Sequence, residues 1–452
     1  MKQNENYQQI KIGMVSLGCN KNQVDAEIML SKLKNAGFTI CDNEEDCDVI
    51  IVNTCGFIES AKTESIENIL EICSLKEDGK LRLCVVTGCL AERYADQIKE
   101  LIPEADVILG LGKNKDIVEM IKKALDGEKI CQQGVKEELE LEGSRLLANP
   151  PYYAYLKIAE GCDNFCTYCA IPSIRGRFRS RKAENILVEA RELAENGVKE
   201  LIVIAQDTSR YGEDIYGKSM LPSLLRELCK TPGIEWIRLL YCYPDRITDE
   251  LLDVMASEDK IVKYLDMPLQ HSSGRILKLM NRFGNDESLR ELCKKIRAKV
   301  PGICLRTTML VGFPSETDED VSGLCQFIKD MKFERLGCFS FSAEEGTAAI
   351  KLPDQIDEEI GKERAELIMR EQMNVSSSLA QGLVGKTLKI LTEGYDEEND
   401  IYFGRSYMDA PDIDTKTFFT SSNKLSQGDF AMVKITQTDG YDLLGEDIGG
   451  EL

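Results

Sequence analysis

Cys162, Cys166 and Cys169 stand in a C-x3-C-x2-C run, Cys162-Asp163-Asn164-Phe165-Cys166-Thr167-Tyr168-Cys169. Three thiolates at that spacing can ligate three irons of a [4Fe–4S] cube and leave the fourth iron open for a substrate. A structural zinc site would want a fourth protein ligand, and the only histidine, His271, is far away in sequence. Three more cysteines share another pattern, each at the end of an apolar run and next to a glycine: Ser16-Leu17-Gly18-Cys19, Asn53-Thr54-Cys55-Gly56 and Thr87-Gly88-Cys89. These three either converge at neighbouring strand ends or are buried apolar thiols, a common fate of free cysteine. The other eleven of the seventeen cysteines lie outside both patterns and read as small core or surface residues.

Elements able to position these side chains are legible around them. In residues 9–125, apolar runs at 11–17, 49–53, 83–87 and 106–109 alternate with helical periodicity, which predicts an open parallel α/β domain. The carboxyl ends of neighbouring strands in such a sheet share one crevice, so Cys19, Cys55 and Cys89 can meet there. Gly18, Gly56 and Gly88 permit the tight turns required, and the helix starts beyond them favour an anionic cofactor. Residues 126–150, charged and ending in Asn149-Pro150-Pro151, read as a linker or connecting hairpin. A second βα series fills 151–378, with strands expected at 153–159, 200–204, 236–241, 263–267, 303–311 and 335–341. Six such units make a partial, open (β/α)6 barrel. After a charged helix at 357–381, short alternating segments in 379–447 suggest a small five-stranded antiparallel β-barrel of OB-like type. Barrel sites lie at the carboxyl ends of strands, which puts Gln206, Asp207, Thr208, Arg306 and Thr308 near a cofactor, although each could be a core or ion-pair residue. His271 follows the fourth strand and is assigned no catalytic role.

Bulk properties bound the function. A chain of 452 residues has room for about three domains, and 43% hydrophobic with 30% charged residues is a globular composition. No apolar run approaches the ~20 residues of a membrane span, and the polar start has no secretory h-region, so a cytoplasmic location is expected. In reducing cytosol, seventeen cysteines point to metal or cluster ligation rather than a disulfide framework. The net charge of −22 opposes direct nucleic-acid binding and suits a basic protein substrate.

The first cysteine run resembles the signature of the radical S-adenosylmethionine (SAM) superfamily. The resemblance implies that the open iron binds SAM, that an electron from the cluster cleaves it to a 5′-deoxyadenosyl radical, and that Tyr168 lies near the adenine. With Cys19, Cys55 and Cys89 in a preceding α/β domain and a terminal barrel of TRAM type, nearly the whole chain resembles the radical SAM methylthiotransferase family. That family carries a second [4Fe–4S] cluster, implying metal ligation by Cys19, Cys55 and Cys89 as well as by Cys162, Cys166 and Cys169. Sulfur passes through the second cluster and a second SAM supplies the methyl group. The implied cofactor contacts are Tyr168, Gln206, Asp207, Thr208, Arg306 and Thr308. The implied partners are a reductant such as flavodoxin or ferredoxin and a sulfur donor, with no membrane.

Two substrates compete within the family: an adenosine in tRNA and an aspartate in ribosomal protein S12. Residues 16–22, 170–177, 268–273 and 404–411 resemble the branch that modifies S12, free or in the small ribosomal subunit. Asn20 departs from that branch, where proline is expected, at a turn position outside the ligand set. Charge supports the protein substrate: residues 379–452 carry six Lys or Arg against fourteen Asp or Glu, which would repel RNA. A reading from another class, an iron–sulfur electron carrier or scaffold, is separated by whether SAM is cleaved. The basic run Arg175, Arg177, Arg179 and Arg181 is either an ion-paired loop or a contact with substrate or the N-terminal domain.

Overall fold

The computed structural model of the protein describes residues 7–449 apart from 77, 78, 80 and 149, so the polar start at 1–6 and Asn149 lie outside the described residues. The first sheet is parallel throughout, in the order Thr39–Ile40, Lys11–Ser16, Val49–Thr54, Leu83–Gly88, Val107–Leu109, Ile130–Gln132. Val49–Thr54 and Leu83–Gly88 are buried at every residue, which explains their unbroken apolar character. The strand order reverses between Lys11–Ser16 and Val49–Thr54, and in open α/β sheets this switch point opens the ligand crevice. Cys19 and Cys55 leave from the two strands that flank it.

The segment expected to be a linker is partly sheet. Ile130–Gln132 pairs with Val107–Leu109, because Ile130 buries its side chain against the first core. Beyond it the chain packs between the helix Asn20–Asn35 and the second sheet, where Arg145 pairs with Glu27 and Glu189.

The second sheet runs Tyr153–Lys157, Glu200–Ile204, Trp236–Leu239, Ile261–Asp266, Cys304–Val311, Arg335–Ser340 in chain order, all parallel, and does not close. The helix Glu358–Gln381 starts at an Asp357 side-chain cap. The terminal five strands, Thr387–Asp396, Ile401–Ser406, Thr417–Thr420, Phe430–Asp439 and Asp442–Asp447, form a closed barrel. One ladder departs from the antiparallel expectation: Thr417–Thr420 and Asp442–Asp447 pair in parallel. An odd number of strands cannot alternate direction around a closed ring, so one seam must be parallel.

The three regions meet in one apolar cluster beside their own cores. Val24 and Ile28, Tyr153 and Tyr155, and Leu391 and Met408 pack in a single apolar cluster. Among the described residues no helix is long and apolar enough to cross a membrane.

Candidate active site

A cavity of about 710 Å³ opens where the carboxyl ends of both parallel sheets face each other, and all six cysteines of the two patterns line it. The chain reaches Cys19 and Cys89 through left-handed glycines. At Gly18, φ is +86° and a Cβ would sit 2.7 Å from the Cys55 sulfur; at Gly88, φ is +96° and a Cβ would sit 2.4 Å from the Thr54 carbonyl. Only glycine lets the three turns approach so closely. Cys162, Cys166 and Cys169 come from the loop after the first strand of the second sheet. That loop is held by Thr167, whose N–H donates to the Met280 carbonyl at 3.0 Å, and by Asn281, whose amide donates to the Asn164 and Phe165 carbonyls.

All seventeen cysteines are unpaired thiols. No three ligand-type side chains among the described residues converge closely enough for a single metal ion. A cube-shaped cluster holds its thiolates farther apart than one ion does, so the triads suit clusters better than zinc. Burial pushes the Cys89 and Cys169 thiols up to about 12 and the Cys162 thiol up to about 11, so ligation there must displace a proton. Cys19 differs: burial raises its thiol, but the charges of Lys21 and Arg175 outweigh that and hold it below the ordinary value.

Each triad has an arginine against it, Arg175 fully buried and Arg282 half-buried. Arg175 donates to the Cys89 sulfur at 3.4 Å, to Asp25 at 2.6 Å, to Glu160 at 3.1 Å and to Asn22 at 3.1 Å. Lys157 completes this buried charge group by pairing with both Asp25 and Glu160. Arg282 donates to the Cys166 sulfur at 3.7 Å and stacks 4.0 Å from the Tyr243 ring centre. The rest of the arginine run is structural: Arg181 is buried on Glu189, Arg179 donates to backbone carbonyls, and exposed Arg177 faces Asp163.

Of the expected cofactor contacts, Tyr168 and Gln206 line the cavity. Gln206 donates to Glu160, while its buried Oε1 has no hydrogen-bond partner, leaving an acceptor on the wall for a ligand donor. The other four lie outside the lining and are engaged within the protein. Asp207 is buried behind the loop, accepting from Asn164 at 2.8 Å; the Thr208 hydroxyl donates to the Leu240 carbonyl at 2.7 Å. Arg306 pairs with Asp266 at 2.9 Å, and the Thr308 carbonyl accepts from Gln270 N–H at 2.8 Å; none of these four lines the cavity. His271 is fully buried, its Nδ1 accepting from Ser272 and Ser273, and is likewise absent from the lining.

Sequence reading missed Lys21, Tyr241, Tyr243, Gln270, Arg282 and Asp412 on the wall. Tyr241, Tyr243 and Gln270 follow strand ends, so the strand-end rule that selected Gln206 would have found them. Tyr241 and Gln270 also adopt left-handed backbone, φ +62° and +73°, strain of the kind that gathers at functional sites. No sequence signal marks Asp412, which reaches the cavity from the terminal barrel.

Comparison with known proteins agrees with this architecture. Residues 11–110 match the model of the uncharacterized protein family UPF0004, residues 156–328 the Radical SAM superfamily and residues 384–448 the TRAM domain. The chain is 50% identical over 437 residues to the ribosomal protein uS12 methylthiotransferase RimO of Clostridium botulinum (strain Eklund 17B), covering 96% of this chain and 97% of that one. The proteins of the same name from Thermoanaerobacter sp. and Desulforamulus reducens are 48% and 49% identical, each over 96% of this chain and 99% of theirs. Among solved structures, the radical SAM methyltransferase TsrM from Kitasatospora setae superimposes with a TM-score of 0.54 at 14% identity, over 73% of this chain and 72% of that one, a likeness of fold.

Proposed function

The chain belongs to the ribosomal protein uS12 methylthiotransferase family, and from that premise we propose that it places a methylthio group on the β-carbon of an aspartate of uS12 (S12). It is a radical SAM enzyme of the two-cluster kind. When bound, SAM and the clusters supply the radical, the sulfur and the methyl group. Cys162, Cys166 and Cys169 are assigned to the SAM-binding cluster and Cys19, Cys55 and Cys89 to the sulfur-delivering one. Tyr168 and Gln206 are the SAM contacts we retain, Gln206 offering its orphaned Oε1 as acceptor. Arg175 and Arg282 each donate to a ligand sulfur, one on either side.

The observation that carries this reading is the presence of both cysteine triads on one cavity. The acidic terminal barrel supports a basic protein as substrate over RNA. A cytoplasmic location, an electron source such as flavodoxin or ferredoxin, and a separate sulfur donor complete the proposal. The test is the intact mass of uS12 after incubation with reconstituted enzyme, SAM and reductant. One methylthio group in place of a hydrogen is expected; unchanged uS12 beside a modified tRNA would overturn the assignment.

A further inference from the structure

Lys21 is 7% exposed and lines the cavity, two residues beyond Cys19 in the helix Asn20–Asn35. Apart from Arg282, which donates to the Cys166 sulfur and the Pro268 carbonyl, the other buried cations around the two sheets have carboxylates. Arg175 and Lys157 share Asp25 and Glu160, Arg145 has Glu27 and Glu189, Arg181 has Glu189, and Arg238 and Arg405 share Glu200. Among the described residues, none lies within ion-pair distance of the Lys21 ammonium. Its neighbour is the Tyr241 ring, whose centre is 3.4 Å from Nζ. Apart from the Cys19 sulfur, whose ionised form its charge favours, this ammonium has no carboxylate to pair with, and a cation–π contact offsets only part of the cost of burying it.

Tyr241 is itself held in place. Its backbone is left-handed, its N–H donates to Asp266 at 3.0 Å and its hydroxyl donates to Asn20 Oδ1 at 2.8 Å. The site is therefore built from both halves of the molecule and presents a positive charge on the wall of the cavity that both triads line. The first amides of the same helix are used elsewhere: the Asn22 and Gln23 N–H groups donate to the Cys19 carbonyl at 2.8 and 3.1 Å. What remains free for a ligand is the Lys21 ammonium.

We propose that Lys21 binds the side-chain carboxylate of the residue to be modified, fixing an aspartate with its β-carbon in the cavity. This rests on the functional reading above and deepens it: an adenine would leave the buried charge unpaired, whereas an aspartate neutralises it. Lys21 thereby selects an acidic residue over its neutral isostere.

The test uses enzyme with both clusters loaded and whole uS12, either natural or with the target aspartate replaced by asparagine. Dissociation constants for both forms are measured with unsubstituted enzyme and with Lys21→Met, Lys21→Gln and Lys21→Arg. Unsubstituted enzyme is expected to favour the aspartate form by roughly 10- to 100-fold, the value of a charge-assisted contact. Lys21→Met and Lys21→Gln should bind the two forms alike, and Lys21→Arg should retain part of the preference. Using two neutral variants keeps the test open if one does not fold. Equal binding of both forms by unsubstituted enzyme, or an undiminished preference in the neutral variants, overturns the proposal. A lysine that only supports the fold or balances cluster charge would weaken both forms equally and leave their ratio unchanged, which also overturns it. So does a loss of SAM affinity with the ratio intact, which would give the cation to SAM. Failure of the functional reading looks different: unsubstituted enzyme would leave natural uS12 unchanged in mass.

Discussion

Arg282 and Arg175 set the electrostatics of the two triads at the level of single atoms, 3.7 Å from the Cys166 sulfur and 3.4 Å from the Cys89 sulfur. A buried positive charge stabilises the more negative, reduced state of a neighbouring cluster. Replacing Arg282 by methionine is expected to lower the potential of the adjacent cluster by on the order of 100 mV and to slow formation of 5′-deoxyadenosine. An electron-paramagnetic-resonance titration of the reconstituted enzyme measures the first effect, and an unmoved potential would show that the arginine serves packing alone. The six cysteines were legible as residues because their spacing and glycine neighbours are local features. Arg282 was not, since nothing in Met280-Asn281-Arg282 says which way the loop returns. Arg306 and Thr308 lie off the cavity for the complementary reason: a strand end is legible, but what engages each residue depends on Asp266 and Gln270 from the neighbouring strand and the loop after it.

Turns and one helix carry the cysteines into place. Gly88 has φ +96° and a Cβ there would meet the Thr54 carbonyl at 2.4 Å. Gly88→Ala is expected to cost more than ~1 kcal/mol and to reduce iron loading by displacing Cys89, read from a denaturant midpoint and an iron assay. The helix Asn20–Asn35 docks through Asp25, which receives Lys157 from the second sheet and Arg175 from the short helix after the cysteine loop. Arg175→Met leaves Asp25 and Glu160 with one cation between them, and about 3–5 kcal/mol of stability should be lost in urea unfolding. Arg175→Lys should not restore it, because one ammonium cannot span Asp25, Glu160, Asn22 and Cys89 at once. In the two parallel sheets the expected apolar runs lie within two residues of the observed strands, although Thr39–Ile40 was not foreseen. Nor was the short strand Ile130–Gln132, as three residues in a charged segment give no periodicity to read.

Across the whole molecule the terminal barrel is joined to the second sheet by buried charge, not by apolar surface alone. Glu200 receives Arg238 from its own sheet and Arg405 from the barrel, each at 2.7 Å. Burial raises the Glu200 carboxyl, but Arg405 and Arg238 outweigh it and hold the group below the usual carboxylate range. With a folded value below the unfolded ~4.3, its contribution is complete above that pH and is lost as acid carries the pH down through the folded value. Glu200→Gln should therefore cost about 3–5 kcal/mol at neutral pH and show a shallower loss of stability below about pH 4 than the unsubstituted protein, measured by urea midpoints across pH. The sequence by itself determined the three-part architecture, both cysteine sets and the acidity of the terminal barrel, because periodicity, motif spacing and composition are properties of neighbours along the chain. Only the tertiary structure decided that both triads share one cavity, that Arg175 and Arg282 stand against their sulfurs, and that Lys21 faces Tyr241 without a carboxylate. Those relations join residues up to 221 positions apart, as Asn20 and Tyr241 are, and burial and charge pairing at such separations exist only once the sheets have packed.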